Sequence, residues 1–296
     1  MRCPVDIQNP RRILCVFPAY TPAFGTFAHA FPLLYKVRAF MPPQGLLVIA
    51  AYLPENWPVR FIDENVTRAK PDDFAWADVV LVSGMHVQAP QIRDIAMRAH
   101  GAGKSVVLGG PSVSAAPEMY PDIDYLHVGE MGDATDALIA QIDRDASRPR
   151  AQQRFTTGER LPLGDFPIPA YHLLRLGNYL IGSIQFSSGC PYRCEFCDIP
   201  GLYGRQPRMK SPQQIISELE GERRGVYGGA VGYFGFDGAH DSCIVIRTAS
   251  LRNGVASMQA GAGVVADSVP EMEWRETEHK ARALLRASEL VEEGLE

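Results

Sequence analysis

The chain lacks the features of a membrane-spanning, secreted or nucleic-acid-binding protein. Its longest apolar stretch, Gly45 to Leu53, is far too short to span a bilayer. The N-terminus, Met1-Arg2-Cys3-Pro4-Val5-Asp6, has no apolar run of signal-peptide length. No basic excess exists: 29 Lys and Arg face 34 Asp and Glu, a net charge of -5, which leaves no electrostatic footprint for a nucleic-acid partner. The six cysteines form one cluster and are otherwise scattered, so a disulfide framework is excluded. A cytoplasmic location is expected, with peripheral membrane contact left open. No G-x-G-x-x-G dinucleotide fingerprint occurs at a strand end.

What is present fits about two domains, with 296 residues and 46% hydrophobic content. Short apolar runs recur at Arg12–Phe17, Val59–Asp63, Asp78–Gly84, Ser105–Gly110 and Asp124–Gly129. Each reads as a buried strand. Helical patterns separate them: Pro43 opens one that Pro54 stops, Pro90 starts one with Ile92, Ile95, Ala96 and Ala99 on one face, and Gly132 to Ile142 forms the last. This alternation predicts a doubly wound α/β domain over residues 1–145, built on five parallel strands. Such sheets bind ligands beyond the carboxyl ends of their strands. Those ends carry Pro18–Phe31, Ser83-Gly84-Met85-His86, Gly109-Gly110-Pro111-Ser112-Val113-Ser114 and Gly129-Glu130-Met131-Gly132. Their glycines let a backbone approach a large flat ligand closely.

The second half opens on a polar stretch, Arg144–Arg160, read as a surface linker within residues 146–182. Gly182 to Ser187 alternates and reads as a strand leading into Cys190-Pro191-Tyr192-Arg193-Cys194-Glu195-Phe196-Cys197. Three cysteines spaced C-x3-C-x2-C can hold three irons of a 4Fe-4S cube and leave the fourth iron open. The competing reading is a structural zinc site with a distant fourth ligand, although zinc ribbons use paired C-x2-C knuckles and this chain has one. Ser211-Pro212-Gln213-Gln214 follows as an S-x-x-Q capping box, opening a helix through Ile215, Ile216 and Leu219.

The cysteine spacing resembles the signature of the radical S-adenosylmethionine (SAM) superfamily. Together with the preceding α/β domain it resembles the cobalamin-binding branch of that superfamily. Over residues 13–231 the chain is most similar to the hopanoid C-2 methylase group. Three stretches carry that likeness: Phe40-Met41-Pro42-Pro43-Gln44-Gly45-Leu46, Gly109-Gly110-Pro111-Ser112-Val113-Ser114, and Cys190 through Asp198-Ile199-Pro200. The resemblance implies Cys190, Cys194 and Cys197 as cluster ligands and Phe196 beside the adenine of SAM. It implies cobalamin over the rim formed by Ser83, Gly84, Gly109, Gly110, Gly129 and Glu130. The chain has no D-x-H-x-x-G motif, so cobalamin is expected base-off with no histidine on cobalt. His29 and His86 sit in suitable loops, with plain solvated histidines as the alternative. Arg205 and Arg208 are candidates to face cofactor or substrate anions, and solvated arginines are the equal alternative. No general base is identifiable. The implied chemistry is cleavage of SAM by the reduced cluster, hydrogen abstraction from an unactivated carbon of a lipid-like or other small substrate, and methyl delivery from cobalamin. An electron donor such as a flavodoxin or ferredoxin is the implied partner.

The resemblance stops near Val231. Residues 183–231 read as the first β/α unit of a partial barrel, but residues 232–296 turn rich in Gly, Ala and Ser. That tail cannot supply the missing units at about 30 residues each. A frameshift or a recombined end is the expectation, with the tail poorly ordered apart from a helix over Glu271–Glu293. Two rival readings stand beside the methylase. One is a different cobalamin-domain enzyme, such as a tetrapyrrole-type cyclase; the other is a catalytically dead cofactor-binding fragment.

Overall fold

The computed structural model describes residues 3–21, 31–34, 36–195, 197–219, 230–234, 240–246, 248–252, 255–261 and 268–292. It forms two compact units, Met1–Leu219 and Glu220–Glu296.

The first unit is built on β1 (Ile13–Phe17), β2 (Val59–Asp63), β3 (Val79–Ser83), β4 (Ser105–Gly109), β5 (Tyr125–Val128) and β6 (Gln153–Thr156). All are parallel, in the order β2-β1-β3-β4-β5-β6. The helices are α1 (Gln44–Tyr52), α2 (Pro71–Trp76), α3 (Ala89–Gly101), α4 (Pro111–Ala115) and α5 (Asp133–Arg144). Strands buried on both faces need no alternation of apolar and polar residues, and β1, β3 and β4 have almost none. Their side chains still alternate in direction. Leu14, Val16, Val80, Val82, Val106 and Leu108 pack with α2 and α3 on one face. Ile13, Cys15, Val79, Leu81 and Val107 pack with α1 and α5 on the other.

The sheet differs from the sequence expectation at its edge. Residues Gln153–Thr156, inside the stretch expected to be a linker, form a sixth strand with Tyr125 opposite Gln153 and His127 opposite Phe155. An edge strand buries one face only, so Gln153-Arg154-Phe155-Thr156 alternates between half-buried and exposed and lacks the apolar run that marks its neighbours. Helix α2 crosses from β2 to β3, closed onto the core by Phe74.

Beyond the sheet, β7 (Ser187–Ser188) pairs antiparallel with β8 (Arg208–Met209), and α6 (Ile199–Tyr203) lies between them. The expected strand over Gly182–Ser187 is reduced to this two-residue ladder, and no partial barrel is built among the described residues. Helix α7 (Pro212–Leu219) begins with the expected capping box: the Ser211 backbone N–H donates to Gln214 Oε1 at 2.9 Å, and the Gln214 N–H to Ser211 Oγ at 3.3 Å.

The second unit holds two antiparallel pairs and one long helix. Strand β9 (Ala230–Phe234) pairs with β10 (His240–Ile244), and β11 (Ala249–Arg252) with β12 (Val255–Met258). Helix α8 spans Pro270–Glu292. The described residues of the stretch expected to be poorly ordered form these two pairs and this helix. Ala249 and Leu251 are exposed, and Ala249–Arg252 pairs its backbone with Val255–Met258. No helix among the described residues is long and apolar enough to cross a membrane.

Candidate functional site

The strand order reverses between β1 and β3, because the chain builds β2 on one side of β1 and then crosses to the other. At such a switch point the loops leaving adjacent strands diverge and open a crevice. A cleft of about 1370 Å³ occupies it. That exceeds the roughly 300–1,000 Å³ of sites for drug-sized ligands. Ala19, Tyr20 and Phe31 line it from the first expected rim loop, and Ser83, Gly84 and Met85 from the second. Gly109, Gly110, Pro111 and Ser114 line it from the third, and Gly129, Glu130 and Met131 from the fourth. The structure thus gathers all four loops around one space.

The glycines there are required by conformation and by space. Gly110 has φ +92°, and a Cβ on it would lie 2.4 Å from Ser83 Oγ. Gly129 has φ +107°, and its Cβ would meet Thr157 Cβ at 3.0 Å. Its backbone N–H is held by Ser114 Oγ at 2.9 Å. A Cβ on Gly84 would press on Ile92 Cδ1 and Pro18 Cγ, both at 3.0 Å. These glycines are therefore required for the rim loops to pack closely on neighbouring protein groups.

Several lining residues were not assigned to the site from the sequence. The Phe40–Leu46 stretch forms one wall as it enters α1, and Ser183, Gln185, Leu202 and Tyr203 close the cleft from beyond the sheet. His127 is buried within it, with Nε2 2.9 Å from Thr135 Oγ1. Burial pushes its pKa below the ordinary imidazole value of 6.5. The alternation of β5 was the available signal, since His127 shares the face of Tyr125. Burial together with the charge of Glu130 raises the Tyr203 phenol, so it stays protonated.

Other candidates have different surroundings. Glu130 is buried and engaged by Arg160 Nε at 3.3 Å, by Ser188 Oγ at 2.7 Å and by the Arg208 guanidinium. Arg208 therefore faces a protein carboxylate. His86 is exposed, does not line the cleft, and has Nδ1 3.0 Å from Ser112 Oγ. Arg205 is exposed. His29 and Phe196 lie outside the described residues.

Cys190, Cys194 and Cys197 are free thiols on the one segment between β7 and α6, with Cys194 exposed and the other two half-buried. The Cys197 N–H closes a turn on the Cys194 carbonyl at 3.1 Å. Three thiols without a fourth are the donor set of a cube with one open iron. Among the described residues no group of three or more Cys, His, Asp or Glu side chains that could hold a metal ion is gathered. The cleft fits a large flat cofactor in size and in its apolar walls.

Comparison with known proteins also divides the chain, with the second match beginning inside the first compact unit. Residues 32–139 match the family model of the B12 binding domain, and residues 207–286 match that of the chorismate binding enzymes. The chain is 65% identical over 213 residues to the hopanoid C-2 methylase of Rhodopseudomonas palustris (strain TIE-1), covering 72% of this chain and 40% of that protein. It is 35% identical over 225 residues to an uncharacterized methyltransferase of Synechocystis, covering 73% of this chain and 41% of that protein. It is also 54% identical over 92 residues to anthranilate synthase component 1 of Geobacillus stearothermophilus, covering 31% of this chain and 18% of that protein. The chain spans about two fifths of the methylase-type relatives and under one fifth of the anthranilate synthase. Its larger part resembles the B12-binding-domain proteins on the side of the hopanoid C-2 methylase, and its C-terminal part departs from them to resemble chorismate-binding enzymes.

Proposed function

We propose that the first unit binds cobalamin in the cleft at the β1/β3 switch point, as part of a radical SAM methyltransferase acting on an apolar, hopanoid-like lipid. The observation that carries the proposal is the coincidence of that cleft with the residues matching the B12 binding domain. The wall residues have plain tasks. Gly84, Gly110 and Gly129 let the rim loops pack closely around the cleft, and Leu138, Ile139 and Leu81 line it with apolar surface. His127, uncharged because it is buried, offers a neutral polar atom among them. Leu34, Met41 and Met85 are exposed at the mouth and suit an apolar substrate. When bound, cobalamin would supply a transferable methyl group, and a cluster with SAM the one-electron chemistry that activates an inert carbon.

The test is a visible-light titration of the purified chain with methylcobalamin and hydroxocobalamin. Saturable, base-off spectral change supports the proposal; an unchanged cobalamin spectrum at excess protein sinks it. Product analysis in the presence of SAM and a reduced flavodoxin or ferredoxin separates methyl transfer from a tetrapyrrole-type cyclisation.

A second reading applies to the segment 207–286 alone. Its match to the chorismate binding enzymes supports a segment of that fold, joined to a methylase-like unit. The first unit with this segment would then be a cofactor-binding protein without a complete barrel, as the dead-fragment alternative holds.

A further inference from the structure

We infer that Glu130 is a positioning residue that fixes both ends of the cysteine loop to the rim of the cofactor cleft. The inference rests on reading the cleft and the loop as cofactor sites, but its geometry stands without any cofactor. Glu130 follows Gly129 at the carboxyl end of β5 and lines the cleft. Its side chain is 7% exposed. A carboxylate so buried needs hydrogen-bonding and oppositely charged partners. All three of its partners belong to the neck of the cysteine loop or brace it.

Ser188, which donates to Glu130 at 2.7 Å, ends β7 two positions before Cys190. Arg208, which pairs with Glu130, stands opposite Ser188 in the β7–β8 ladder. The same arginine donates to Ser188 Oγ at 3.1 Å and to the Tyr203 carbonyl at 3.2 Å. Arg160 completes the arrangement: Nε faces Glu130 at 3.3 Å, and its two terminal nitrogens donate to the carbonyls of Tyr203 at 3.0 Å and Leu202 at 3.2 Å. Those carbonyls end α6, where a cation is favoured. The Cys190 N–H donates to the Gly204 carbonyl at 3.0 Å and closes the neck. The tip, Pro191 to Glu195, is exposed throughout. Orientation of the thiols is thus decided at the neck, and the neck is seated on Glu130.

One carboxylate is shared between two guanidiniums here. Glu130→Gln keeps the shape and removes the charge, leaving Arg160 and Arg208 facing an uncharged amide and each other. The readout is amide hydrogen exchange on the cofactor-free 296-residue chain. In Glu130→Gln the amides of Cys190 and Gly204 should exchange about tenfold faster, while core amides such as Val82 and Leu108 keep their rates. Glu130→Asp, which retains the charge, should recover much of the protection. Unchanged exchange at Cys190 and Gly204, a uniform rise across the sheet, or no recovery in Glu130→Asp would overturn the inference. If Glu130→Gln does not fold, Ser188→Ala removes only the hydroxyl's two hydrogen bonds, to Glu130 and from Arg208: faster exchange confined to the loop supports the inference, and no change refutes it. Because no cofactor is added, a failed cobalamin titration would sink the proposed function and leave this result standing.

Discussion

Gly110 shows how much the rim depends on single residues. At φ +92°, with Ser83 Oγ 2.4 Å from the site of any Cβ, Gly110→Ala combines backbone strain with a clash. A loss of about 1–3 kcal/mol is expected in urea unfolding, together with weakened cobalamin binding. His127 makes a second prediction. Burial depresses its folded pKa below 6.5, so the unfolded chain binds a proton first as pH falls. Its contribution to stability is fully present above pH 6.5 and is lost as pH falls from there through the folded pKa. His127→Gln should flatten the loss of stability between pH 7 and pH 5, as read from urea midpoints at about 0.5-unit steps. An equally steep loss in the variant would assign the acid sensitivity to other groups. The rim glycines were legible in the sequence because strand-end glycines have a local cause. The Glu130 clamp was not, because its partners Ser188 and Arg208 lie 58 and 78 residues away along the chain.

Elements behaved according to how much of their stability is local. Strands β1, β3 and β4 are runs of apolar residues flanked by glycine, proline or charge, and they formed where the pattern placed them. Helix α7 formed behind its capping box. Strand β6 has no such pattern, and its place follows from the open edge of β5 and from Phe155, which packs on Tyr125 with ring centroids 6.4 Å apart. Phe155→Ala should cost about 1–3 kcal/mol, less than a fully buried phenylalanine because one face of this edge strand is exposed. Denaturant unfolding checks it, and a cost near zero would make β6 dispensable. The cysteine loop is an element of another kind, held at its neck and exposed at its tip. Anaerobic reconstitution with iron and sulfide should give the broad visible absorbance of thiolate-bound iron, and Cys194→Ala should abolish it. Stoichiometric zinc without iron would favour the structural zinc site.

For the whole molecule, the division at Leu219 is the dominant fact. The six-stranded sheet, both cores, the cleft and the cysteine loop all belong to the first unit. Residues 1–219 expressed alone should therefore give the same cobalamin titration as the 296-residue chain. Loss of binding on that truncation would mean that the second unit contributes to the site. The departure from the methylase pattern near Val231 was legible in composition. That the remainder resembles a folded segment of other enzymes was not, because glycine and alanine content measures side-chain burial and is blind to backbone pairing.

The sequence alone determined the doubly wound alternation, the four rim loops and the three-thiol spacing. Each is written in neighbouring residues, through apolar run length, strand-end glycine and cysteine interval. The tertiary structure alone decided that Gln153–Thr156 joins the sheet, that His127 is buried in the cleft, and that Glu130 and Arg208 are partners of each other. These depend on which distant segments meet. A buried charge or an open strand edge takes whatever complementary group the fold delivers, and no local pattern names that group in advance.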